Sequence, residues 1–517
     1  MPDQFWTNLG SLETLLNEDR AVVKLDGKQI LIIAADDGIY AIDNRCPHEG
    51  YPLKEGSLKE GCILSCNWHG WTFNLKDGVP LMGRDPVRTY PIKIQDGELW
   101  LDITPPPKEQ VIQKLEQDFE DALNDHDYSR LARTLARGAK AGRPYEAYAK
   151  SALKWSEDKF ERGFGHAHAG LSDWIDLAGS DDDLRLVAFL EATGHFAWDG
   201  MQSRPAKAGL AFEWDEVQFN KAIADMNIEM AVGLCEAAFD SGLDFQDLKP
   251  SILDHVFRHY SAFGHSAIYV MHAERLIEQL GNSTARGLTI QLVRHLCSAA
   301  REDLLPEFRQ FGSFLENNWP RENNAKARFS GLSVNAAMEE LVQSAQSYEE
   351  LWEELLLAAA ENMLRFDVNL QHEIEQPIAR NIGWLDFTHA ITFARAVHVH
   401  ARENESYWKS GLLQMACFAG RNKPFIAENT FVKWKVENRE RFMAEQKADL
   451  FNMDYGEYIY SVHRLKMVCA VEHLLDLVSP ATAATLLAAL NRYLHAYVRQ
   501  KAPAREAYQA KFHVERE

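Results

Sequence analysis

Between Asn44 and Phe73 the chain reads NRCPHEGYPLKEGSLKEGCILSCNWHGWTF, in which Cys46 stands with His48 and Cys66 with His69. Each pair offers one thiolate and one imidazole, and seventeen residues separate His48 from Cys66. That donor set suits a [2Fe-2S] cluster in which one iron takes both cysteines and the other both histidines. Neutral imidazole in place of thiolate leaves the cluster less negative and raises its potential. The two pairs must then sit on facing loops. Pro47, Gly50 and Gly70 fit tight turns, and Trp68 and Trp71 on either side of His69 offer a small apolar cover. The competing readings are four unrelated core residues or a Cys2His2 zinc site, but zinc spacings usually group cysteine with cysteine and histidine with histidine.

Sixteen of the 19 histidines lie from His166 onward, several in clusters. A single helical histidine usually just packs or hydrogen-bonds, so only the grouping points to a metal. His463 and Lys466 share a helix face, His265 and His272 lie two turns apart on one face, and His398 and His400 point to different sides. Small residues follow His389 at Ala390, Ala394 and Ala396, which lets neighbouring helices close on an inward ring. His166 and His168 occupy one glycine-flanked segment, so one of the two faces inward. The candidate set is His168 (or His166), His265, His389 and His463, one from each of four segments, as metal sites in helix bundles are built. Four neutral imidazoles leave Fe(II) with its full charge in a dry interior, so an anionic ligand is expected as well. Asp386, Glu274 or Glu472 could supply it. A diiron site would need paired Glu-x-x-His helices, and no pair is so placed.

The elements that must hold these residues fall into two textures. From Arg20 to Asp102 short alternating segments (AVVKL, QILIIAA, IYAID, CILSC, WTFNL, VRTYPIKI, ELWLDI) are separated by Asp-Gly and Gly-Lys turns, the pattern of a small antiparallel β-domain over residues 1–104. Thr104-Pro105-Pro106-Pro107 then forms a stiff linker over residues 105–108. Residues 109–517 show a period near 3.6, in DEVQFNKAIADMNIEMAVGLCEAAF and MEELVQSAQSYEELWEELLLAAAENML among others, with prolines 144, 250, 306, 320, 377, 424 and 480 between runs. The expected architecture is multidomain, a small all-β domain followed by a large all-α domain without a regular repeat.

The Cys46-Pro47-His48-Glu49-Gly50 and Cys66-Asn67-Trp68-His69-Gly70-Trp71 stretches resemble the Rieske [2Fe-2S] domain family. High-potential members carry a disulfide between the two loops. Here Glu49, Gly50, Asn67 and Trp68 occupy those neighbourhoods and Cys62 has no mate, so the resemblance is to the ferredoxin and oxygenase branch. Ring-hydroxylating oxygenases of that branch follow the cluster domain with a sheet-rich domain, whereas no strand-rich region follows Pro107 in this chain. The segments GHAHAGLSDWIDLAG, FGHSAIYVMHA, THAITFARAVH and VHRLKMVCAVEHLLD instead resemble the questin oxidase-like family. That resemblance implies a non-haem iron oxygenase acting on quinone-like rings, its metal held by several histidines and by a lysine carboxylated by CO2, which falls on Lys466. Tyr269 departs from it, standing where that family tends to carry another histidine. An unmodified lysine would ordinarily be exposed.

Composition narrows the partners. With 76 acidic against 55 basic residues the formal net charge is -21, which repels nucleic acid and anionic membrane. Five of the seven cysteines are scattered without framework spacing, which with the lack of a leader-like N-terminus or an apolar span points to the cytoplasm. No Gly-rich dinucleotide fingerprint is present, so a separate NAD(P)H-dependent reductase is expected to reduce the cluster. The reading is an oxygenase that uses O2, a [2Fe-2S] cluster and Fe(II) on an aromatic small molecule. Trp155, Trp174, Trp198, Trp214 and Trp384 suit an aromatic pocket or ordinary core packing equally. A homo-oligomer is allowed for, because Rieske proteins often set a cluster beside a neighbouring subunit's iron. The alternative is a redox-controlled electron-transfer or binding protein whose helices hold no metal.

Overall fold

In the first hundred residues apolar and polar side chains alternate, and Asp26-Gly27 and Asp96-Gly97 take positive φ at both positions, as two-residue hairpin turns do. The computed structural model, which describes residues 5–427 and 432–516, has strands β1 Trp6–Ser11, β2 Arg20–Leu25, β3 Lys28–Ala35, β4 Gly38–Asp43, β5 Ser57–Lys59, β6 Ile63–Ser65, β7 Thr72–Asn74, β8 Pro80–Met82, β9 Ile92–Gln95 and β10 Glu98–Asp102. They form three antiparallel sheets in the orders β1-β10-β9, β2-β3-β4 and β5-β6-β7-β8. β3 is apolar on both faces because both are covered: Ile30 and Ile32 join Leu99 and Leu101, while Leu31 and Ile33 join Leu64 and Phe73. The segment VRTYPIKI is split at Pro91, which has no N–H to give a ladder: Thr89 makes a single bridge to Ile42 of β4, and the strand proper runs from Ile92 against β10.

The chain divides into two compact units, Met1–Lys114 and Leu115–Glu517. The second is helical throughout. Six of its helices bear on function: α1 His166–Ala178, α2 Asp182–Gln202, α3 His265–Leu280, α4 Trp384–Glu403, α5 Arg439–Asp449 and α6 Tyr458–Leu474. α1, α3, α4 and α6 close a ring, each touching two of the others. Two long periodic runs are interrupted where a cap intervenes. Asn227 accepts from the Met230 N–H and starts a new helix after Met226 at φ 56°, and Ser347 with Glu350 forms a reciprocal cap. Pro250, expected at a helix break, lies inside Phe245–Arg258. There the Asp244–Asp247 cap and the buried Leu248, Ile252 and Val256 hold the helix across its missing N–H.

Candidate metal centres

The two Cys/His loops have one hydrogen-bond plan. The Cys46 N–H donates to the Tyr51 carbonyl and the Gly50 N–H to the Cys46 carbonyl; likewise the Cys66 N–H donates to Trp71 and the Gly70 N–H to Cys66. In both loops the fifth residue is therefore a glycine in the left-handed region, Gly50 at φ 74° and Gly70 at φ 75°. Histidine is third in one loop and fourth in the other, and the His48 and His69 rings meet edge-on with centroids 4.7 Å apart. Trp71 stacks on His48 at 4.8 Å, seated where Gly83 leaves room: a Cβ there would lie 2.4 Å from the indole. Trp68 is 60 % exposed and stacks on Tyr51, its indole N–H reaching the Glu49 carboxylate.

Burial pushes the Cys46 thiol up to about 11, while the His48 and Glu49 N–H groups aimed at its sulfur work the other way. His48 Nδ1 is buried and has no hydrogen-bond partner among the described residues. Two buried thiols, paired N–H donors and an orphaned imidazole nitrogen on facing loops fit a [2Fe-2S] cluster held by Cys46, His48, Cys66 and His69.

In the helical unit His166 of α1, His265 of α3, His389 of α4 and His463 of α6 bring one ring nitrogen each to within 4.8 Å of one another. His265 and His166 Nε2 are 3.2 Å apart, and His463 and His389 Nε2 are 3.0 Å apart. The Nδ1–H groups are already spent. His265 donates to the Ala262 carbonyl, His463 to Ile459 and His389 to Leu385, while His166 Nδ1 faces the Tyr269 hydroxyl. In the three that donate, Nε2 presents a lone pair and no proton, so the Nε2 atoms repel unless a cation lies between them. Nitrogens bound about 2.1 Å from one ion sit about 3 Å apart at adjacent positions, which these spacings match. Burial, then the Lys466 charge and the rings' mutual charges, hold the imidazoles well below their usual pKa and keep them neutral.

Lys466, one turn beyond His463, is 1 % exposed, and its Nζ has no hydrogen-bond partner among the described residues. Burial lowers its pKa to about 8. A buried ammonium beside four imidazoles, with no hydrogen bond among the described residues and the Tyr269 ring 6.0 Å away, is costly to hold, and an anionic modification would reverse that cost. The four imidazoles of His166, His265, His389 and His463 fit a divalent metal such as Fe(II), with Lys466 beside them.

His168 corrects the sequence expectation. It points away from the other three, accepts the Gly165 N–H at its Nδ1 and packs between Phe164 and Phe196. Two residues along a helix turn the side chain to the opposite face, so His166 takes the place expected of it. The three carboxylates weighed as anionic ligands are engaged elsewhere: Asp386 caps α4 through the Gly383 N–H, Glu274 pairs with Lys249, and Glu472 pairs with Lys447.

His166 also lines a cavity of about 810 Å³ with Phe160, Phe164, Tyr269, His295, Asp199 and Arg204. None of the five tryptophans expected in an aromatic pocket lines it. The aromatic walls come from the two phenylalanines and Tyr269. His295, its pKa lowered to about 4 by burial, meets Tyr269 ring to ring at 4.7 Å. His295 and Asp199 carried no signal in the sequence, since neither falls in a motif.

The Rieske [2Fe-2S] domain family matches residues 5–91. The chain is 28 % identical over 100 residues to the anthranilate 1,2-dioxygenase ferredoxin subunit of Burkholderia cepacia, covering 19 % of this chain and 92 % of that one. It is 30 % identical over 77 residues to the 3-phenylpropionate/cinnamic acid dioxygenase ferredoxin subunit of Photorhabdus laumondii, covering 14 % and 73 %. Among solved structures the terminal oxygenase of carbazole 1,9a-dioxygenase from Nocardioides aromaticivorans matches at 26 % identity and a TM-score of 0.19, over 20 % of this chain and 32 % of that one. The chain belongs to the Rieske [2Fe-2S] domain family, and that membership rests on its first unit. Among the described residues no helix is long and apolar enough to cross a membrane.

Proposed function

We propose that the chain is an oxygenase in which residues 1–104 hold a Rieske cluster and residues 109–517 hold a mononuclear non-haem iron acting on an oxygenated aromatic or quinone-like small molecule. When bound, the cluster supplies single electrons and the iron supplies a place for O2 to be activated. The observation that carries the reading is the convergence of four imidazole nitrogens, three of them proton-free, beside a buried lysine whose Nζ makes no hydrogen bond among the described residues.

The chain's own residues have definite tasks in this reading. The Ala262, Leu385 and Ile459 carbonyls fix the imidazole tautomers and ring orientations. The Lys466 ammonium first gives up a proton; the neutral amine then bonds through its lone pair to the carbon of CO2 and releases a second, so that over the two deprotonations one positive charge becomes one negative charge. Phe160, Phe164 and Tyr269 stack an aromatic ring, and Asp199, Arg204 and His295 address its oxygen substituents. Electrons come from a separate NAD(P)H-dependent reductase, in keeping with the ferredoxin-type relatives.

Iron analysis and EPR of anaerobically prepared, dithionite-reduced protein, with and without nitric oxide, test this. About three irons per chain are expected, falling to about two in His389→Ala or His463→Ala with the cluster signal intact. About two irons in the unaltered chain, with no oxygen consumed on reduction, would select an electron-transfer protein instead.

A further inference from the structure

The four ring-forming helices carry a second buried layer. From the histidines each runs on in the same direction, from His166 to Asp173, from His265 to His272 and Arg275, from His389 to Arg395, and from His463 to Cys469. Seven residues of helix carry α1 about 10 Å from one layer to the other. Asp173, fully buried, takes Arg275 at 2.8 Å, while Arg395 lies 3.7 Å away, beyond hydrogen-bond reach. Arg275 is satisfied a second time by Asp176. Arg395 is only 8 % exposed, and among the described residues none of its nitrogens makes a hydrogen bond. The layer thus holds a buried guanidinium whose one close anion among the described residues, Asp173, is beyond hydrogen-bond reach and shared with Arg275, so its donors are left without hydrogen bonds there.

That guanidinium opens onto a cavity of about 760 Å³ that none of the four histidines lines. Its walls are apolar, from Leu177, Leu184, Val187 and Phe451. The other charges at its edge are matched, Lys447 with Glu472 and Arg275 with Asp176, and Asp183 stands exposed near the mouth. A guanidinium whose nearest carboxylate is 3.7 Å away, facing an apolar wall with acids around the opening, has hydrogen-bond donors to offer but little net positive charge, which suits a monoanion with an apolar body and disfavours a dianion.

We propose that this cavity is a second small-molecule site, separate from the iron centre, which binds an organic monocarboxylate: the carboxylate on Arg395, the apolar body against Leu184, Val187 and Phe451. The proposal does not depend on the iron reading, since none of its residues belongs to that centre.

Calorimetric titration of the full chain with 2-naphthoate, and with 2-naphthamide as its neutral counterpart, tests it. Naphthoate is expected to bind at one site per chain, with the amide about tenfold weaker or more. Arg395→Gln is expected to lose naphthoate binding. Should that variant fail to fold, Ala448→Trp, which fills the mouth from an exposed position on α5, is expected to lose it too. Arg204→Gln, at the iron-side cavity, should leave it unchanged. No binding to the unaltered chain, equal binding of the amide, retention of binding in Ala448→Trp, or loss in Arg204→Gln would each overturn the proposal.

Discussion

At the scale of single residues the interior is shaped by one charge it cannot easily hold. Lys466 has its pKa lowered from 10.5 to about 8, with burial as the cause, so at neutral pH the metal-free fold must carry a desolvated ammonium. Between about pH 8 and 10.5 the unfolded chain binds a proton that the folded chain does not, so wild-type stability rises with pH there; below 8 the burial cost is present in full. Lys466→Met keeps the volume and removes the charge. Its metal-free form is expected to be about 1–3 kcal/mol more stable at pH 7, with the advantage fading above pH 10 in denaturant titrations. The same substitution should cut iron in the helical unit while leaving the cluster signal alone. A substitution that stabilises the fold and empties the site separates a functional lysine from a structural one. The choice between His166 and His168 was not legible before the fold, because both suit a glycine-flanked helix start. What decides it is that a histidine three residues past Gly165 can accept that glycine's N–H, a local bond that removes it from the bundle.

At the scale of elements, the turn before α3 holds the strain. Ala262, Phe263 and Gly264 are all left-handed, at φ 49°, 46° and 75°, and this turn aims the Ala262 carbonyl at the His265 ring. A Cβ on Gly264 would meet the Phe393 ring at 2.5 Å. Gly264→Ala is expected to cost about 1–3 kcal/mol and to lower iron occupancy in the helical unit, read by thermal melts and metal analysis. The Glu302 carboxyl accepts the Phe263 N–H and is pushed up to about 7 by burial. Between its ordinary 4.5 and 7 the folded chain holds a proton the unfolded chain has lost, so stability falls as pH rises through that window. Glu302→Gln is expected to flatten that fall and to be more stable at pH 8 by about 1–2 kcal/mol, measured by denaturant titration across pH 5–8. The long elements were readable from periodicity, as were β2, β3, β4 and β10, because burial sets their pattern. β1, β5 and β8 were not: the last two are three residues each with no buried residue, whereas the equally short β6 and β7 carry the buried Leu64 and Phe73 that register as a pattern. Asn227 and Ser347 show the converse, cap signals present in the sequence but hidden inside apolar runs that continue across them.

At the scale of the whole molecule, each unit closes its own core. The buried clusters of the first unit draw only on residues between Leu9 and Ile103, and that of the second runs from Phe119 to Val498. What no periodicity could disclose is that α1, α3, α4 and α6 run parallel, so that residues nearly three hundred positions apart share one layer; only the crossovers through the other helices set that order. Because the proposed iron ligands all belong to the second unit, stabilisation by metal should be confined to it. Residues 1–107 and 108–517 expressed separately are expected to fold, the first with the EPR signal of the intact chain. Fe(II) with bicarbonate should raise the melting temperature of the second piece by about 2–5 °C and leave the first unchanged. Bicarbonate should matter only when Lys466 is present: in Lys466→Met the shift with Fe(II) should be smaller and the same with or without it. A shift of equal size in both pieces would mean nonspecific iron binding, and a full shift in Lys466→Met would remove the lysine from the centre while leaving the four histidines in it.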